Sequence, residues 1–221
     1  MTDPSMVPRV SARSLGPVPL PLWVRVVIVL CCVIEAALML SDLTGFRLRA
    51  WSTILGGFWS PLAWGGTGAY SGQGLVMFVT YGFLHGGLLH LAMNMISFAA
   101  LARELGRMIG AWNIAVIYAV SQVVAAVTFA LMAPDAGPMV GASGAVFGLA
   151  GAVVGFAAVT LRRRRQSTGP LWRGVGLVLG LNIALTLLMP AIAWQAHLGG
   201  GLIGLVMGAW VGVPVARRAK T

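Results

Sequence analysis

Residues 141–161 read GASGAVFGLAGAVVGFAAVTL, and four arginines follow at once at 162–165. The run carries no charge and matches the roughly 20 residues that cross a bilayer as a helix. Gly144, Gly148, Gly151 and Gly155 fall on one face of that helix. Small residues at this spacing let two membrane helices approach closely. Another apolar run at 193–213 carries its own stripe at Gly201, Gly204, Gly208 and Gly212, with His197 one turn above Gly201. Two such stripes predict two backbones packed together. Ser143 and His197, each near one end of its helix, should then meet.

Working outward, the rest of the chain has the same character. Its 221 residues are 58% hydrophobic and 9% charged, with a mean hydropathy of +0.89. A water-soluble surface, typically about 25% charged, cannot be built from so few charges. Further apolar runs lie at 22–40, 76–101, 111–133 and 171–189. The predicted fold is therefore an all-α membrane protein, a six-transmembrane-helix bundle spanning 22–213. Residues 1–21, with five prolines, read as a short disordered tail, and 214–221 as a short basic one. The first run is too long for a signal-peptide core and no small-x-small cleavage site follows it, so it reads as a retained anchor. The long connection at 41–75 carries Trp51, Phe58, Trp59, Trp64 and Tyr70. Those aromatics suit the headgroup zone, in or on the outer leaflet.

A net charge of +10 invites a nucleic-acid partner, but the cations sit between hydrophobic runs. With six spans and both termini cytoplasmic, all but Arg47 and Arg49 of the 15 Lys and Arg fall inside. The positive-inside rule asks for that bias, and it makes the arginines at 162–165 a topology determinant. Cys31 and Cys32 are adjacent, which suits neither an ordinary disulfide nor a zinc site. Arg25 lies near the end of the first run and can snorkel. Glu35 is deeper, and nothing in the sequence accounts for it.

Polar groups inside a membrane segment are costly and mark function. Three clusters stand out, all assigned to the outer half. The second run holds His85, Gly86, Gly87, His90 and Asn94; the fourth opens Gly141-Ala142-Ser143-Gly144; the sixth carries Ala196-His197-Leu198-Gly199-Gly200. On a continuous helix His90 and Asn94 share a face, while His85 lies about 140° round from His90 and serves another contact. Alone, Ser143 reads as a serine bonded to its own backbone, and His197 as a group satisfying a neighbour. A metal site from His85, His90 and His197 lacks the HExxH pattern and a nearby carboxylate. The glycine stripes favour a hydroxyl beside an imidazole, the minimum for an activated serine. Ser143 also begins a helix, whose free N–H groups favour an oxyanion. His90 and Asn94 add side-chain donors, and Gly141 and Gly144 leave room for a substrate backbone. No acid is placed to orient His197, so the site reads as a dyad.

These motifs resemble those of the rhomboid intramembrane serine proteases. The family's His-x4-His-x3-Asn pattern falls on His85, His90 and Asn94, its GxSG on residues 141–144, and its AHxGG on 196–200. The resemblance implies a Ser143 nucleophile, a His197 general base, and an oxyanion hole of His90, Asn94 and the Ser143 backbone. It implies that Phe147 is the aromatic on which the histidine stacks, and that Glu104 is a structural acid. It also implies hydrolysis, without a cofactor, in or near the transmembrane segment of single-span membrane proteins. Short loops and six spans suit a bacterial inner membrane. Many members carry Trp-Arg in the first loop where this chain has Val76 and Met77, so loop anchoring is expected to differ. The competing readings are a non-catalytic relative that binds membrane proteins, against which retention of both dyad residues argues, and a small transporter, which the scarcity of acids in the spans opposes.

Overall fold

The computed structural model describes residues 19–188 and 192–218, with side chains as far as 213. Nearly all of it is helix: α1 (Leu22–Thr44), α2 (Leu48–Gly56), α3 (Ser60–Ala63), α4 (Gln73–Thr80), a 3-10 turn (Tyr81–Phe83), α5 (Leu88–Met108), α6 (Ala111–Met132), α7 (Ser143–Arg163), α8 (Gly169–Leu188) and α9 (Trp194–Arg218). Six are long and apolar enough to cross a membrane: α1, α5, α6, α7, α8 and the Trp194–Val213 part of α9. Exposed Leu, Val, Ile and Trp side chains cover their outward faces, as expected when lipid is the solvent. Of the expected tails, 1–18 and 219–221 lie outside the described residues, and α9 continues as helix through 214–218.

The second span differs from expectation. In place of one helix over 76–101, α4 and the 3-10 turn end at Phe83, and α5 begins only at Leu88. Gly87, with φ +116° and ψ 171°, occupies backbone space that a side chain forbids. His85 therefore sits in a connection, and its helical-wheel relation to His90 does not apply.

α7 is the hub. A β-carbon on Gly204 or Gly208 would strike the α7 backbone at Gly148 or Ala152, and one on Gly151 or Gly155 would strike α9 at Gly201 or Leu205. The predicted contact is present with one correction to its register. Gly200, rather than Gly201, carries the tight face towards the site, against the Gly144 carbonyl, while a β-carbon at Gly201 would have only the Phe147 carbonyl, 3.9 Å away. Gly200, Gly204 and Gly208 are spaced by a full turn each, so they hold one line along the crossing. α6 closes the third side: a β-carbon on Gly144 would meet that of Ala125 at 2.5 Å, and one on Gly148 would strike Ser121.

The core has two parts. Val24, Cys31, Phe98, Leu105, Ile114 and Leu149 join α1, α5, α6 and α7. Phe58, Met77, Tyr81, Phe129 and Met139 fill the space under the first connection, with Phe58 edge-on to Phe78, Tyr81 and Phe129. Met77, at one of the positions lacking the family pair, is thus a core residue, while Val76 faces outward. Cys31 packs inside and Cys32 faces out.

Arg49 of α2 fastens the first connection instead. Its guanidinium bonds the Glu35 carboxylate at 2.9 Å, Asp42 at 2.8 Å and the His85 carbonyl at 3.0 Å. The ion pair raises the pKa of Arg49 further, so the guanidinium stays charged. Glu35, only 1% exposed, is accounted for by this pair. The connection is further tied down by reciprocal 2.8 Å backbone bonds between Phe58 and Met139, and by Gln73 bonding the Ile54 carbonyl at 2.7 Å.

Candidate active site

α7 begins at Ser143 and α9 at Trp194, so both place their first turns at one end of the bundle. There the Ser143 Oγ and His197 Nε2 lie 2.8 Å apart. The close α7–α9 crossing is the cause: helices held at glycine distance bring first-turn side chains into reach without long rotamers. Phe147, one turn below Ser143, stacks on the imidazole with centroids 4.3 Å apart and planes 11° from parallel. The ring is thus clamped on one face and hydrogen-bonded at its edge.

Gly141 shapes the approach to the hydroxyl. Its φ is +119°, and its N–H donates to the Tyr81 carbonyl at 2.9 Å. A β-carbon there would lie 2.8 Å from the His90 Nε2 and 3.9 Å from the Ser143 Oγ. Conformation and space both demand glycine at this position. The His90 edge therefore stands across Gly141 from the Ser143 hydroxyl.

Which His90 nitrogen carries the proton follows from its other contact. The Gly86 N–H donates to His90 Nδ1 at 3.2 Å. A nitrogen that accepts is bare, so in the neutral ring the proton is on Nε2, the edge that faces Gly141. His90 is thereby a donor aimed at the space beside Ser143. The Ser143 N–H adds a second donor, because the first intrahelical bond of the turn is made only by Val146, to Ala142. Asn94 is on the same face and buried, but its amide donates to the His90 carbonyl at 2.9 Å. Its immediate effect is to brace His90.

His85 lies apart from the hydroxyl and meets His90 edge-to-face, with centroids 5.3 Å apart. Burial, with His90 beside it, pushes its pKa down to about 4, so it is neutral at pH 7. It fills space behind the second histidine. Glu104 pairs at 2.9 Å with Arg107 on the exposed surface of α5, far along the helix from His90.

One residue at the site was not anticipated from the sequence. The Asn182 side chain of α8 reaches the far nitrogen of the same imidazole, with Nδ2 and His197 Nδ1 3.3 Å apart. The available signal was a lone amide in an otherwise apolar span, which is costly in hydrocarbon unless it has a partner.

Among family models, the Rhomboid domain matches residues 72–214. The chain belongs to the rhomboid family. It is accordingly a multi-pass integral membrane protein of a family whose members are in general intramembrane serine proteases. A comparison with curated proteins gives no match. The matched segment runs from α4 to α9 and leaves out α1, α2 and α3. The Glu35–Arg49 pair of this rhomboid lies outside the matched segment, whereas Val76 and Met77 lie inside it.

Proposed function

We propose that this rhomboid is an active endopeptidase that cuts single-span membrane proteins in or near their transmembrane segment. The observation that carries the reading is the 2.8 Å contact between Ser143 Oγ and His197 Nε2. His197 takes the serine proton as Oγ attacks the scissile carbonyl carbon, and an imidazolium forms. The carbonyl oxygen becomes an oxyanion, which in this reading the His90 Nε2–H, the Ser143 N–H and the Asn94 amide stabilise. Collapse of the intermediate expels the amine, which receives the proton from His197 and leaves an acyl-serine. Water, deprotonated by the same imidazole, then hydrolyses the ester. No step calls for a cofactor.

The distribution of arginines supports an orientation with both termini cytoplasmic and the Ser143 end in the outer half of the bilayer. A bacterial inner membrane suits the short loops. Co-expression with a panel of single-span membrane proteins tests the activity. Fragments should appear with the wild type and not with Ser143→Ala. Equal cleavage by the two would reject the assignment.

A further inference from the structure

We infer that Asn182 is the positioning residue of His197, completing a Ser143–His197–Asn182 array in which an amide orients the base. The inference rests on the proteolytic reading above and deepens it.

The imidazole can serve as base at Nε2 only when its single proton is on Nδ1. Something must therefore accept a hydrogen bond at Nδ1. None of the described acids bonds the ring: Glu35 and Asp42 bond Arg49, Glu104 bonds Arg107, and Asp135 is exposed in the connection between α6 and α7. The group that faces Nδ1 is the Asn182 amide, at 3.3 Å. With Nδ2 towards the ring, as placed, the amide donates to a bare Nδ1. The ring proton is then on Nε2, and Ser143 can only accept. A half-turn of the amide exchanges Oδ1 for Nδ2 at almost no change in shape. Oδ1 then accepts the Nδ1 proton, and Nε2 is bare opposite the serine hydroxyl. The same contact accommodates the imidazolium once it forms, because both ring nitrogens then donate. An amide fills this role in Cys-His-Asn sites on other folds, so the chemistry has precedent without a carboxylate.

Position supports the assignment. No residue of α8 is buried, and β-carbons at its Gly174, Gly176 and Gly180 would meet nothing within 4 Å. Among the described residues, the Asn182 contact is the one side-chain hydrogen bond joining α8 to another helix. The Asn182 carbonyl meanwhile accepts from Thr186 at 2.9 Å, an ordinary helical back-bond. The side chain is therefore spent on the catalytic imidazole rather than on general packing.

The test compares wild type, Asn182→Leu and Asn182→Asp, purified full-length in detergent, by the pH dependence of acylation with a fluorophosphonate. The imidazole is faced by Ser143 and Phe147 of α7 and Asn182 of α8, and His90 of α5 is the titratable group across Ser143 from it. His90 is common to all three proteins, so differences in midpoint report the His197–Asn182 contact. Asn182→Leu should fold, with an unchanged melting temperature, and lose on the order of 10² in acylation rate. Asn182→Asp places an opposite charge beside the imidazolium and should move the acidic limb about one pH unit or more upwards. A purely structural role would leave the midpoint where it is. Wild-type rate and midpoint in folded Asn182→Leu would overturn the inference. So would an unmoved midpoint in Asn182→Asp, which is decisive even where the leucine variant does not fold. A folded wild type that neither acylates nor cleaves overturns the proteolytic reading, and this inference falls with it. Active wild type with indifferent Asn182 variants overturns the inference alone.

Discussion

The backbone of Gly204 rests on that of Gly148: a β-carbon at 204 would stand 2.7 Å from the Gly148 Cα. One methyl group there must push α9 away from α7. Overpacking a tight interface costs about 1–3 kcal/mol, and a shift of about 1 Å between catalytic groups can cost about 10² in rate. Gly204→Ala and Gly148→Ala should lower both the melting temperature in detergent and the cleavage rate. Gly176→Ala, where the added carbon meets nothing within 4 Å, should do neither. Equal melting temperatures across the three would show that the crossing is looser than described.

The Glu35–Arg49 pair gives a second test. Glu35 is 1% exposed and Arg49 27% exposed at the side chain, so removing the arginine strands a carboxylate. Breaking a buried pair typically costs about 3–5 kcal/mol, and the partial exposure of Arg49 favours the low end. Arg49→Met should destabilise strongly, whereas the double variant with Glu35→Leu should recover much of the loss. Because Arg49 also bonds the His85 carbonyl, the double variant should regain stability more fully than activity. Full recovery of both would show that the connection does not position the site. Thermal melts and cleavage rates on the same preparations decide.

The two side chains proposed as oxyanion donors are held differently. His90 presents its Nε2 beside Gly141, while Asn94 is already engaged with the His90 carbonyl. Loss of one good donor costs about 10²–10³ in rate. His90→Ala should approach that loss in kcat, and Asn94→Ala should lose less, with Ser143 still labelable in both. The reverse order in single-turnover cleavage would make Asn94 the principal donor.

His85 links stability to pH. Its pKa falls from 6.5 to about 4 on burial, so the folded state binds fewer protons than the unfolded one. The sign follows: its contribution is complete above pH 6.5 and is lost as pH falls towards 4. Detergent melting temperatures should drop across that window, and less steeply in His85→Gln. Identical slopes in the two proteins would mean that His85 is not buried as a neutral ring.

Much of this was legible in the sequence for identifiable reasons. Apolar length fixes the spans at α1 and α6 through α9, and glycine spacing leads to the α7–α9 crossing and hence to Ser143 beside His197. The second span was misread because hydrophobicity continues through Val76–Phe83, and only backbone conformation at Gly87 separates α4 from α5. Glu35 could not be explained without Arg49, a partner fourteen positions away on another helix. Asn182 was missed because an amide in an apolar span has no pattern to announce its partner. The shift from Gly201 to Gly200 is one residue on a helix whose glycines are consecutive at 199–201, too fine for spacing to resolve.

Mass spectrometry of the fluorophosphonate adduct tests the proposal that Ser143 is a nucleophile activated by His197. Purified wild type, Ser143→Ala and His197→Ala are treated alike, and the modified peptide is mapped. An adduct is expected on Ser143 in the wild type, none in Ser143→Ala, and strong loss in His197→Ala with its fold intact. No adduct on Ser143 in folded wild type, or undiminished labelling in His197→Ala, would contradict it.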